Sequence, residues 1–129
     1  MQARTFTAWK MGSRSVTKNK IVLVAFPFDD LSTAKVRPAL CLTEPVGPHQ
    51  HVVMAFITSS VSSSPLATDF VFDPSEPDFS ITGLRFASTL QLHRLMTVSK
   101  GMIRRELGRV TPRHEAEITR RLKQLFELR

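Results

Sequence analysis

The chain has 129 residues, 42% of them apolar, a formal net charge of +7 and a single cysteine. That length holds one compact domain with a real core rather than two ordinary ones, and the apolar share argues against disorder throughout. No apolar run reaches the roughly eighteen residues needed to span a membrane, and the lone Cys41 excludes an intrachain disulfide or a cysteine metal cluster.

The charge is unevenly spread. Residues 1–20 carry five basic groups and no acid, residues 100–129 carry nine basic and four acidic groups, and residues 21–99 carry four basic against seven acidic. The basic surplus therefore belongs to the two ends, where it fits either a polyanion partner or a solvated helical face. No apolar block follows the basic start in the manner of a signal peptide, so a soluble cytoplasmic protein is expected.

Residues 1–18 mix small, polar and basic residues without a period and read as a flexible N-terminal arm, with Met11 as an alternative start; a single domain over 19–129 follows. Ile21-Val22-Leu23-Val24-Ala25-Phe26 is a continuous, β-branched run and predicts a strand buried on both faces. Pro27 ends it, and a polar loop over 28–34 leads to Lys35-Val36-Arg37-Pro38-Ala39-Leu40. The proline pushes Arg37 into an extended conformation at the mouth of a second strand, 36–43. A guanidinium fixed there is suited to a phosphate or carboxylate, or to an ion pair with Asp29 or Asp30 across the loop. The residues alone leave both open.

A turn cluster with Pro45, Gly47 and Pro48 precedes a third apolar run, 52–57, which delivers Thr58, Ser59 and Ser60 at its end. A serine-rich loop over 61–65, a short strand at 70–72, a turn-rich segment and a fifth strand over 87–92 come next, the last with Leu90 and Leu92 on one face. Close-set short strands joined by loops predict a small antiparallel barrel or sandwich. The tail changes period. Ser99 is expected to cap a short helix carrying Met102, Ile103 and Leu107 and ended by Gly108. Thr111 and Pro112 then supply the N-cap and first position of a second helix, whose Ile118, Leu122, Leu125 and Phe126 form one apolar stripe.

Two strand ends thus offer matching chemistry, a cation at Arg37 and hydroxyls at Thr58 and Ser59, together a cradle for a phosphodiester. The run through Phe26-Pro27-Phe28, then Lys35 to Leu40, then Phe56-Ile57-Thr58-Ser59, resembles the MazF/PemK family of growth-inhibiting toxins. Arg104-Arg105-Glu106-Leu107-Gly108-Arg109-Val110-Thr111-Pro112 is similar to the family's ending, so the resemblance covers about residues 18 to 126. It implies a mainly β fold, an SH3-like small β-barrel of the MazF/PemK/CcdB kind with a C-terminal helix, acting as a homodimer. It further implies a sequence-selective, metal-independent endoribonuclease without cofactors, cleaving single-stranded mRNA by 2′-hydroxyl attack to a 2′,3′-cyclic phosphate. A cognate antitoxin would silence it, and DNA would be met only through that antitoxin. Arg37 and Thr58 fall on the family's catalytic arginine and threonine, and Phe28, Lys35, Ser59 and His93 are expected to contact RNA.

Some relatives carry a catalytic arginine and aspartate on the last strand, where Gln91 and His93 stand here. The proton-transfer group is therefore left open among His93, Asp29, Asp30 or another residue, and a catalytically silent RNA-binding barrel stays open beside the enzyme. Relatives of the same fold that poison DNA gyrase rely on a tryptophan near the C-terminus, whereas this chain reads Phe126-Glu127-Leu128-Arg129.

Overall fold

The computed structural model describes residues 17–26 and 35–129. Within them the chain forms six strands, β1 (Lys20–Phe26), β2 (Lys35–Cys41), β3 (His51–Thr58), β4 (Asp69–Phe72), β5 (Ser88–Ser99) and β6 (Ile103–Arg109), and one helix, α1 (Pro112–Phe126). All pairings are antiparallel, and the strands lie in the order β4-β5-β3-β2-β1-β6. No helix among the described residues is long and apolar enough to cross a membrane.

The continuous apolar runs form strands because each strand is buried on both sides. Ile21, Leu40, Ala55 and Ile57 join a cluster with Phe72, Leu90 and Leu92. Their sequence neighbours Val22, Ala39, Cys41 and Met54 join a second cluster on the other face with Val52 and Val98. Alternation along a pleated strand sorts adjacent residues to opposite faces, so two cores need apolar residues at every position. The second cluster is covered within the chain by Phe56, Met96, Met102 and Ile103. The apolar second face therefore does not by itself call for a partner copy. Burial pushes the Cys41 thiol up to about 12, so Cys41 behaves as a small apolar side chain.

The sheet is open by hydrogen bonding, with β4 and β6 as its edges. The connection from β4 to β5 bridges them. Its 3-10 turn, Phe79–Thr82, lies against β6 so closely that a Cβ on Gly108 would overlap the backbone of Ile81 and Thr82. Gly83 ends that turn in the left-handed region at φ 75°, and the Leu107 carbonyl occupies the place of its missing Cβ. A packed connection thus gives the small barrel-like form.

The expected helix after Ser99 is corrected. Only a 3-10 turn, Lys100–Met102, is present there, Ser99 makes no side-chain cap bond, and Ile103–Arg109 is a strand. Pairing with the free edge of β1, from Lys20↔Arg109 to Val24↔Ile103, outweighs the local helix signals. The fifth strand is also longer than expected. It runs twelve residues because its start pairs with both β4 and β3 while its end continues along β3. Pairing with β3 jumps from Leu95 to Gln91 between Ala55 and Phe56, leaving residues 92–94 as an irregularity that turns Leu92 inward and exposes His93 and Arg94.

Thr111 and Pro112 open α1 as expected. The Thr111 hydroxyl accepts from the His114 N–H at 3.3 Å, and His114 Nδ1 accepts from the Thr111 N–H at 3.1 Å, a capping box with histidine as its third residue. Ile118 is buried and Leu122 packs on the first cluster, but Phe126 is 53% exposed and does not complete the stripe. The helix stops there, with Glu127 left-handed at φ 56°. At the other end, the backbone N–H groups of Thr17 and Lys18 donate to the Glu44 carboxylate at 3.1 and 3.2 Å, fixing the entry to β1.

Candidate active site

The site is built where β2 begins and β3 ends. Arg37 sits opposite Val24 on β1, held extended by Pro38, and its side chain is exposed. Ile57 is buried at the end of β3, so alternation turns Thr58 to the half-exposed side and Ser59 follows into solvent. The Thr58 hydroxyl accepts from the Ser60 N–H at 3.3 Å, which leaves its own O–H free to donate elsewhere. Thr89 on β5 donates to the Ser60 carbonyl at 2.8 Å and pins this turn to the sheet.

Arg37, Thr58 and Ser59 line one groove of about 410 Å³. The structure adds Arg85 and Phe86 from the connection before β5, and Arg105 from β6, which pairs with Leu23 of β1. Leu23, Ile57, Leu84 and Leu107 supply apolar walls. Among the described residues no Asp, Glu or His lines it, and neither Arg37, Arg85 nor Arg105 forms an ion pair. Among the described lining residues, three guanidiniums and the Thr58 and Ser59 hydroxyls stand without a carboxylate, an arrangement that favours an anion.

His93 stands elsewhere. It does not line the groove, and its Nδ1 lies 4.0 Å from Asp69 Oδ1, a buried oxygen with no hydrogen-bond partner among the described residues. Gln91 accepts from Arg94 at 3.5 Å, and Arg94 lies over the Phe56 ring at 5.0 Å. Phe28, Asp29 and Asp30 lie outside the described residues, as does the side chain of Lys35, whose backbone opens β2. Among the described residues, then, Arg37, Thr58 and Ser59 meet and His93 does not. Local sequence patterns do not single out Arg85, Phe86 or Arg105. Arg105 lies within the segment Arg104 to Pro112, and a cation next to an aromatic at Arg85-Phe86, shortly after Gly83, is the signal that the other two carry.

The family model for the PemK-like, MazF-like toxin of type II toxin-antitoxin systems matches residues 17–126. The chain belongs to that family. Among solved structures, the Mycobacterium tuberculosis toxin MazF-mt6 is 25% identical, with a TM-score of 0.66, and the match covers 85% of this chain and 98% of that one. An endoribonuclease in complex with its cognate antitoxin from a mycobacterial species is 15% identical, with a TM-score of 0.61 over 87% and 95% of the two chains. A MazE-MazF structure from Deinococcus radiodurans is 14% identical, with a TM-score of 0.63 over 91% and 100%. No match is found among curated protein sequences. The groove of this PemK/MazF-like toxin is thus carried by an open six-stranded antiparallel sheet with one C-terminal helix, the fold its relatives share.

Proposed function

We propose that this toxin is an endoribonuclease that cuts single-stranded RNA without a metal ion. The observation that carries the reading is the meeting of Arg37, Arg85 and Arg105 with the Thr58 and Ser59 hydroxyls around one groove free of carboxylates among its described lining residues. In the reaction the ribose 2′-oxygen attacks the adjacent phosphorus and loses its proton, and the 5′-oxygen leaves and gains one. The products are a 2′,3′-cyclic phosphate and a 5′-hydroxyl. Negative charge grows on the nonbridging oxygens in the transition state, where a planar guanidinium at Arg37 and a donated hydrogen bond from Thr58 act most strongly. The neighbouring cations also ease ionisation of the 2′-hydroxyl, since a positive field favours the charged form. Family membership supports the remaining parts of the reading: a homodimer, a cognate antitoxin that covers the groove, contact with DNA only through that antitoxin, and a place in the cytoplasm.

A silent RNA-binding barrel is the second reading, favoured by the lack of imidazole or carboxylate among the described lining residues. Incubating the purified protein with single-stranded RNA in EDTA and mapping the fragment ends separates the two. Fragments ending in a cyclic phosphate are expected. Intact RNA that nevertheless binds to the protein establishes the second reading, and intact RNA that does not bind removes both.

A further inference from the structure

We infer that Phe86 is a platform on which an unpaired base of the RNA stacks, beside the phosphate held by Arg37 and Thr58, so that it fixes the position of the nucleotide flanking the cut. The inference rests on the ribonuclease reading above and adds to it a residue that holds the base rather than the phosphate.

Isolated exposed apolar side chains are ordinary and need no special reason. Phe86 differs in three ways. At 67% it is the most exposed of the large apolar side chains described. Its backbone is nevertheless fixed from both directions. On one side Gly83 is wedged under Leu107, the Leu84 N–H donates to Thr82 Oγ1 at 3.1 Å, and the Leu84 side chain packs on the core. On the other, the Ser88 hydroxyl donates to the Phe86 carbonyl at 2.8 Å, and Ser88 is itself buried at the start of β5. A fluctuating loop would explain an aromatic left in water, whereas a pinned one is already held for a contact.

The third difference is the company it keeps. Phe86 shares the groove with Arg37, Arg85, Arg105, Thr58 and Ser59. A contact with an apolar protein surface would bury those three guanidiniums without partners, at a high desolvation cost. A nucleotide strand satisfies both kinds of group at once, with phosphates on the arginines and a base face on the ring. Stacking requires a base freed from its pair, so the partner is single-stranded.

The test uses short single-stranded RNA with a 2′-deoxy sugar at the mapped cut, which cannot form the cyclic phosphate. Phe86→Ala is expected to weaken its binding on the order of tenfold. Replacing bases by abasic sugars one at a time should reproduce that loss at a single position in the unaltered protein, and at none in Phe86→Ala. Phe86→Trp, placed in a Trp9→Phe background, should keep the affinity and lose fluorescence on adding single-stranded but not duplex RNA. If the unaltered protein cleaves RNA while the abasic series is flat and Phe86→Ala binds normally, the platform falls and the ribonuclease stands. If the unaltered protein neither binds nor cleaves RNA, both fall. If Phe86→Ala changes only the oligomeric state by light scattering, the ring is a protein contact and the inference is overturned.

Discussion

Two sets of arginines in this molecule show opposite uses of one residue type. On α1 every described arginine has a carboxylate: Arg113 donates through Nε and Nη2 to Asp78 at 3.1 and 2.7 Å, and Arg120 and Arg121 both reach Glu117. The two guanidiniums, Arg120 first, hold the Glu117 carboxyl at about 2. Around the groove Arg37, Arg85 and Arg105 have no such partner among the described residues. A sequence-wide surplus of positive charge therefore says little about a site until the paired cations are set aside. Among the described cations without an ion pair, three arginines from three distant parts of the chain are brought to one groove by the fold.

The sharpest way to break this comparison is to remove Arg37. If the groove arginines act on the transition state, Arg37→Ala should lower the cleavage rate by roughly two to three orders of magnitude, as loss of one preorganised donor does. Its unfolding midpoint should stay that of the unaltered protein, because no described partner is left behind. Arg37→Lys should recover little, since an ammonium cannot make the two-pronged contact. Thr58→Val should slow cleavage less, because the shape and the apolar wall are kept. Single-turnover rates on one defined RNA, read beside denaturation curves, check all three; a folded Arg37→Ala protein that cleaves at the unaltered rate would remove Arg37 from the mechanism.

Next in size is a change that should damage both regions together. The connection against β6 carries Asp78, which receives the helix latch, on one side of its 3-10 turn, and Arg85 and Phe86, the groove rim, on the other. Gly108→Ala pushes a methyl group into the Ile81 and Thr82 backbone. It should cost about 1–3 kcal/mol, the usual price of overpacking, and weaken RNA binding as well. Urea denaturation and an RNA-binding curve on the same sample test it, and loss of stability with normal binding would show that the two regions are independent.

That seam also marks where reading the sequence succeeds and where it stops. The strands β1 to β3 announce themselves because burial on both faces demands unbroken apolar runs, and α1 does so because Thr111 and Pro112 are local signals. Strand β6 does not. Ser99, Met102, Ile103, Leu107 and Gly108 imitate a capped helix, and only the vacant edge of β1, eighty residues earlier in order of magnitude, decides otherwise. The same limit hides half of the groove. Arg37 and Thr58 are flagged by neighbouring proline and strand patterns, whereas Arg105 arrives through Leu23↔Arg105 pairing and Arg85 and Phe86 through packing at Gly83. Non-local contacts of this kind leave no periodic trace.

The paired region should respond to pH. His114 is buried, and desolvation holds its imidazole below the usual histidine range, with Asp78 pulling upward and Arg113 downward. Its Nδ1 must stay unprotonated to accept from the Thr111 N–H. Above the ordinary value of about 6.5 neither folded nor unfolded state binds the proton, and stability is complete. As pH falls through that value the unfolded chain takes up a proton that the folded chain resists, so stability falls. Asp78, held well below the usual carboxylate range chiefly by Arg113, should add a second loss only as pH drops below about 4. Chemical denaturation from about pH 8 to about pH 5 should show the first loss in the unaltered protein. His114→Gln, which can keep the capping box without titrating, should flatten it.

The smallest effect bears on the comparison most directly, because it separates two arginines of one charge by their pairing alone. Each groove arginine that contacts an RNA phosphate displaces counterions from the strand, so losing it should shrink the dependence of log Kd on log salt by about 0.7. Arg105→Gln should do this and weaken binding at low salt, even though Arg105 lies on the edge strand away from the Arg37 motif. Arg120→Gln removes the same formal charge, but Arg120 is engaged with Glu117 on an exposed helix face, and its loss frees a carboxylate that Arg121 still holds. The salt slope should therefore not move. The measurement is a titration of uncleavable single-stranded RNA at four or so salt concentrations for each variant, since the slope is insensitive to small errors in protein concentration. Equal slopes for the two variants would mean that RNA responds to the net charge of the molecule rather than to the groove, and pairing would no longer distinguish the two sets of arginines.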